Sequence, residues 1–349
     1  MKVTTTLRYS GGFKEAAHEV VAMEKAGLDM VWVAEAYGFD SPSLMGYLAA
    51  LTETVEIGSA IIPIYTRTPA LIAMTAAGLD ALSEGRFSLG LGASGPQVIE
   101  GFHGVPYSAP LGRTREIIEI CRAIWRREGP LTHEGRYYTM PLPTGQGTGL
   151  GKALKIIPHP LRSEIPVWLA ALGEKNVAMA AELADGWLPI LFVPEKARQV
   201  WGASLADGAA KRDPSRAPLM IAAGGLLAIG EGEEYTGLRE LQRSMVALYV
   251  GGMGAKGKNF YHELACRYGF EEEADQIQAL YLSGKKQEAE ALVPEELLEK
   301  TTLCGPKGYV AERIAAFKDA GVTHLQVQPL AQEGQSAAEL IATVKELID

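Results

Sequence analysis

Four short stretches place polar, aromatic or glycine residues directly after apolar runs. LDMVWVAE ends in Glu35 and is followed by Ala36, Tyr37 and Asp40, while Pro63, Tyr65, Thr66, Arg67 and Pro69 follow VEIGSAII. LGLGASGPQ runs from Leu89 to Gln97, and WLAALGEKN from Trp168 to Asn176. Such apolar, β-branched runs read as strands buried on both faces, and the C-terminal ends of parallel strands are where α/β folds build binding sites. The chemistry implied is ligand binding. The glycines up to Gly92 let the backbone approach a flat or bulky ligand closely, and Gly173 sits at a strand-to-helix junction whose free amides suit a phosphate. At the same positions, an ordinary loop and helix cap is the plainer reading.

Other chemistries find little support. His18, His103, His133, His159, His262 and His324 show no metal-ligand spacing, and no metal is expected. Cys121, Cys266 and Cys304 form no CxxC pair and suit reduced thiols that act as small hydrophobes. A formal net charge of -9 argues against nucleic acid or an anionic membrane as a partner. No apolar run approaches a membrane span, and Met1 leads directly into KVTTTLRYS without a signal peptide, so a cytoplasmic protein is expected.

The elements that must position these residues alternate along the chain. Strand-like runs at 2–9, 28–35, 55–62, 86–92, 165–171, 186–190, 217–230 and 322–330 are separated by helical patterns, including those at 13–26, 42–52 and 69–84. Pro69 heads the last of these helices, where its fixed φ suits the first turn. Eight such units predict a (β/α)8 barrel, with a doubly wound sheet as the competitor. Residues 129–164, rich in Gly and Pro, predict a hairpin and long loops; residues 231–304 read as a helical insertion without a clear strand. No composition break demands a second domain, so residues 1–349 are expected to form one.

IGSAIIPIYTRTPALIAM, GRFSLGLGASGPQVIEGFHG, GRTREIIEICRAIW and PVWLAALGEKNVAMAAELADGWLP resemble the bacterial luciferase-like superfamily, particularly the branch using the deazaflavin coenzyme F420. The similarity extends to GPKGYVAERIAAFKDAGVTHLQVQ. It implies a TIM barrel with an isoalloxazine-type ring at its C-terminal mouth. It also implies a cis peptide without proline between Ala60 and Ile61, supporting the ring, with Ile62 and Pro63 continuing that wall. By the same matching, Glu35, Gly92, Ala93 and Ser94 lie near the cofactor. Ala170, Ala171, Leu172 and Gly173, with Asn176 just beyond, resemble the segment that contacts the ribityl phosphate. Ala36 stands where the sugar-phosphate dehydrogenases of this branch and luciferase itself resemble each other in carrying histidine, which counts against both activities.

The expected activity is F420-dependent oxidoreduction of a small organic substrate, with Tyr37, Tyr65, Ser94 or His103 relaying a proton. An FMN-dependent monooxygenase is the nearest alternative, and a non-catalytic binding protein the third. Extra cations at the mouth would favour the oligoglutamate tail of F420, with Arg67, Lys175, Lys256 and Lys258 as candidates. A homodimer is expected, with Met45, Leu48, Leu71 and Met74 as candidate interface residues.

Overall fold

The computed structural model describes residues 1–7, 12–254 and 256–348. Eight parallel strands close into a ring: β1 (Lys2–Leu7), β2 (Met30–Val33), β3 (Glu56–Ser59), β4 (Phe87–Gly92), β5 (Val167–Ala170), β6 (Gly186–Leu188), β7 (Met220–Ile229) and β8 (His324–Pro329). Closure comes from β1 pairing with β8, Lys2 opposite His324 and Thr4 opposite Gln326. This is a TIM barrel, not a doubly wound sheet. Arg8 and Tyr9, expected at the end of the first strand, lie outside the described residues.

Each barrel strand is followed by a helix: α1 (Phe13–Lys25), α2 (Ser41–Leu51), α3 (Pro69–Leu82), α4 (Pro110–Arg126), α5 (Glu174–Leu183), α6 (Pro194–Lys211), α7 (Lys307–Asp319) and α8 (Ala337–Ile348). Local chemistry sets their starts. Asp40 accepts from the Ser43 amide ahead of α2, and Thr68 accepts from the Leu71 amide ahead of α3, each with proline in the first turn. Met45 and Leu48, read as interface candidates, are instead fully buried because the apolar face of α2 packs on the strands. Leu71, Met74 and Leu82 on α3 remain exposed.

Inside the ring, Met30, Trp32, Trp168, Leu188 and Ala222 fill the barrel, with Ala60, Ile61 and Ala170 packed against them. Two indoles fit because their neighbours are glycines. A Cβ on Gly58 would lie 2.4 Å from the Trp32 ring, and one on Gly186 would lie 2.1 Å from the Trp168 ring. Trp32 and Trp168 meet edge to face with centroids 5.0 Å apart, and Trp168 meets His324 in the same way. Burial pushes the His324 pKa down from 6.5 to about 4, with Lys2 adding to the effect, so this imidazole is neutral at pH 7.

Two insertions reach the C-terminal end of the barrel. Between α4 and β5, His133–Glu134 and Thr139–Met140 form an antiparallel hairpin running back along α4. Between β7 and α7, short helices culminate in Phe260–Arg267, Glu271–Leu282, Lys286–Ala291 and Glu295–Lys300. This second segment ends in a strand not foreseen from the sequence, Leu303–Gly305, which pairs parallel with the far half of β7. No helix among the described residues is long and apolar enough to cross a membrane.

Candidate active site at the barrel mouth

The floor of the mouth is made mostly of small side chains at strand ends, with Ile61 the exception. Ala60 and Ile61 follow β3, and the bond between them is cis, as expected. The chain then forms the two-residue strand Ile62–Pro63, which pairs with Leu91 and Gly92 at the end of β4. A Cβ on Gly92 would lie 3.0 Å from Ile61 and 3.4 Å from the Ala170 Cβ, so glycine keeps this floor shallow. Ile62 is different: its side chain is buried in the layer between barrel and helices, leaving Ala60 and Ile61 on the inner side. Pro63 is likewise buried.

Beyond β5 the chain passes Ala171, Leu172 and Gly173 into α5. Gly173 is the N-cap and supplies no side-chain hydrogen bond; its carbonyl accepts from the Asn176 and Val177 amides. Among the described residues, the amides of Leu172, Gly173, Glu174 and Lys175 have no partner. These four consecutive donors lie at the positive end of a helix. Asn176 sits within the first turn, half-buried. Phe260 from the second insertion stands over this turn, 3.7 Å from where a Gly173 Cβ would be.

Glu35 is fully engaged. Its carboxylate accepts from Arg67 Nη1 at 2.5 Å and Nη2 at 2.9 Å, and from the Ser41 amide and hydroxyl at 2.8 and 2.9 Å. The ends of β2 and β3 are thereby tied to each other and to the start of α2. Arg67, offered above as a cation for an anionic tail, is committed to this pair.

The proton-relay candidates fall into two groups. Tyr37, exposed, packs on Phe102 with centroids 6.0 Å apart, and Phe102 meets His103 edge to face at 5.1 Å. His103 Nε2 is buried and has no partner among the described residues. In the second group Tyr65 lies 5.1 Å from Tyr107, donates to the Ser108 carbonyl at 2.8 Å, and Tyr107 donates to the Ser94 carbonyl at 3.4 Å. Ser94 itself has a left-handed φ of 58°. Burial, with Tyr107 beside it and only partial relief from Arg113, pushes the Tyr65 pKa up to about 12, so it holds its proton across the neutral range.

Tyr107, Tyr138 and Arg113 were not evident from the sequence. The hairpin tip is pinned by Glu116 of α4, which accepts from the amides of Arg136, Tyr137 and Tyr138 at 2.9–3.1 Å and meets His133 Nε2 at 3.3 Å. Burial opposes ionisation of Glu116, but these donors outweigh it and hold its pKa below the usual carboxylate value. Arg113 then stacks on Tyr137 and Tyr138. A GRYYTM stretch following a helix with an inward Glu was the available signal, but only folding brings it to the mouth.

A cavity of about 310 Å³ opens between Pro96, Gln97, Glu100 and Tyr107 on one side and Met253, Gly254 and Lys258 of the second insertion on the other. A larger one, about 580 Å³, lies between α6 and α7 and is lined by Trp187, Phe192 and Trp201. Its position on the outer layer of the barrel separates it from the strand ends, so the smaller cavity belongs to the mouth. Together, a shallow floor of small side chains and a row of free amides beside it fit a flat ring carrying a phosphate.

Residues 1–324 match a family described as luciferase-like monooxygenase. A Mycobacterium tuberculosis protein, provisionally named a coenzyme F420-dependent oxidoreductase, is 42% identical over 334 residues, covering 94% of each chain. Among solved structures, the coenzyme F420-dependent tetrahydromethanopterin reductase from Methanopyrus kandleri superposes with a TM-score of 0.76 at 23% identity, covering 98% of this chain and 96% of that one. An F420-dependent secondary alcohol dehydrogenase in complex with an F420–acetone adduct superposes with a TM-score of 0.74 at 19% identity, covering 99% and 97%.

Proposed function

We propose that this chain, which belongs to the luciferase-like monooxygenase family, is an F420-dependent oxidoreductase acting on a small organic substrate. The observation carrying this reading is the junction of the Ala60, Ile61, Gly92 and Ala170 floor with the unpaired amides from Leu172 to Lys175. The relative at 42% identity supports it by name. When bound, F420 supplies hydride exchange at its deazaflavin C5. The small floor residues orient the ring, the four amides hold the phosphate, and Phe260 and the second insertion limit water. Lys175, Lys256 and Lys258, all exposed, are the cations left for the acidic tail.

Proton transfer falls to the groups already at the mouth. Tyr65 Oη retains its proton at neutral pH and reaches substrate as a donor by releasing the Ser108 carbonyl, while His103 Nε2 is a buried nitrogen without a partner among the described residues. Substrate is assigned to the cavity bounded by Tyr107 and Met253. We also assign the whole chain to one domain and a homodimer, with the exposed Leu71, Met74 and Leu82 face of α3 as its contact.

FMN shares the ring and phosphate, so the floor and the amides accommodate it equally; the lysines are what favour F420. The test is a panel of alcohols, carbonyls and unsaturated compounds incubated with the protein and either oxidised or reduced F420, following the deazaflavin absorbance. Substrate-dependent change supports the proposal. Oxygen consumption with reduced FMN and a panel substrate, and no turnover of F420 by any compound, would favour the monooxygenase instead.

A further inference from the structure

The loop that offers its amides at the mouth is held from behind by two tryptophans. Trp187 Nε1 donates to the Ala171 carbonyl at 2.9 Å, and Trp201 Nε1 donates to the Leu172 carbonyl at 3.3 Å. Both indoles are fully buried and meet edge to face, with centroids 5.1 Å apart. They lie in the outer layer: Trp187 points outward from β6, between the inward Gly186 and Leu188, and Trp201 belongs to α6.

Peptide geometry turns these two bonds into a statement about the mouth. In a planar trans peptide the C=O of one residue and the N–H of the next point in opposite directions. The Ala171–Leu172 and Leu172–Gly173 bonds are both trans. With the Ala171 and Leu172 carbonyls drawn outward to the indoles, the Leu172 and Gly173 amides are directed inward, beside the free amides of Glu174 and Lys175. Rotation of either peptide plane would turn a donor into an acceptor and present a carbonyl oxygen to an anion.

We infer that Trp187 and Trp201 are positioning residues that fix these two peptide planes so that the loop presents donors to the phosphate of the bound cofactor. The inference rests on the cofactor reading above and specifies which residues make the loop selective for a phosphorylated ligand. An aromatic core alone does not require indoles here. Phe192 stacks on Trp201 at 5.4 Å in the same cluster and has no N–H to offer the loop carbonyls.

The test compares F420 with its phosphate-free deazaflavin parent, each titrated by fluorescence quenching into the purified protein and into Trp201→Phe, Trp187→Phe and Phe192→Leu. Loss of one indole donor is expected to weaken F420 about tenfold while leaving the phosphate-free compound within about twofold. Phe192→Leu disturbs the same cluster and is expected to leave the ratio of the two affinities unchanged. Equal weakening of both ligands by the tryptophan variants, or none, overturns the positioning role. If the parent protein itself binds both ligands equally, the phosphate does not lie on this loop, and the cofactor reading of the site fails first. Two independent tryptophans keep the test open should one variant not fold, since each acts on a different peptide plane.

Discussion

Replacing Glu35 by alanine removes an acceptor that holds two guanidinium donors, one backbone amide and one hydroxyl at once. A carboxylate offers about four such sites, so none is left for a ligand. The Glu35 side chain is 8% exposed and that of Arg67 14%, so water can replace little of what is lost. Breaking a buried pair by deleting one partner costs about 3–5 kcal/mol, and losing the contacts at the start of α2 adds about 1 kcal/mol. The residual exposure of Arg67 argues for the lower end, about 4 kcal/mol in all. Glu35→Gln, which keeps the shape and an acceptor oxygen, should cost about half as much. In the Glu35→Ala, Arg67→Ala double variant, no guanidinium is stranded, so the pair should cost less than the sum of the single changes. Urea unfolding of the cofactor-free protein, followed by tryptophan fluorescence, measures all three. Should Glu35→Ala stay within about 0.5 kcal/mol of the parent yet lose affinity for F420 or FMN, the carboxylate contacts ligand and the structural account of it is wrong.

Other expectations concern pH, affinity and turnover. His324 has a folded pKa of about 4 against 6.5 unfolded, so the unfolded chain binds more protons between these values and stability falls as pH falls through that window. The loss should be about 2 kcal/mol from about pH 7.5 to about pH 5, and His324→Gln should flatten that slope in urea titrations; an unchanged slope would mean other groups set it. Gly173→Val should weaken cofactor binding with little change in unfolding midpoint, because φ is -68° and the nearest atom to a new Cβ is 3.7 Å away. Parent-like binding of F420 and FMN would make this junction a plain helix start. Tyr65→Phe should lower kcat more than it raises KM once a substrate is known, a pattern reversed if Tyr65 only packs against substrate.

The eight strands were legible because strands covered on both faces leave continuous apolar runs, and the prolines at positions 63 and 69 marked where the third one turns into its helix. Leu303–Gly305 was not, since three residues ending in glycine carry no periodic signal and pair only because β7 is ten residues long. Met45 and Leu48 show the limit of reading an apolar helix face: the pattern does not distinguish packing on strands from packing on a partner. The glycines at the end of the fourth strand and the Gly173 junction stand out in the local sequence, whereas Ala60, Ile61 and Ala170 are pointed to by the family resemblance alone. The engagement of Arg67 by Glu35, the approach of Tyr107 and Tyr138 to the mouth, and the indoles behind Ala171 and Leu172 could not be read from either. Those contacts join residues 16 to 73 positions apart, or segments whose paths only the closed barrel determines.

The most direct test of the cofactor assignment is a pair of parallel equilibrium titrations of the purified protein with F420 and with FMN, each read by quenching of its own fluorescence. The site described here predicts saturable binding of both, with F420 the tighter because its acidic tail meets Lys175, Lys256 and Lys258, and with that advantage shrinking as salt is raised. Tight binding of FMN with no measurable binding of F420 would contradict it.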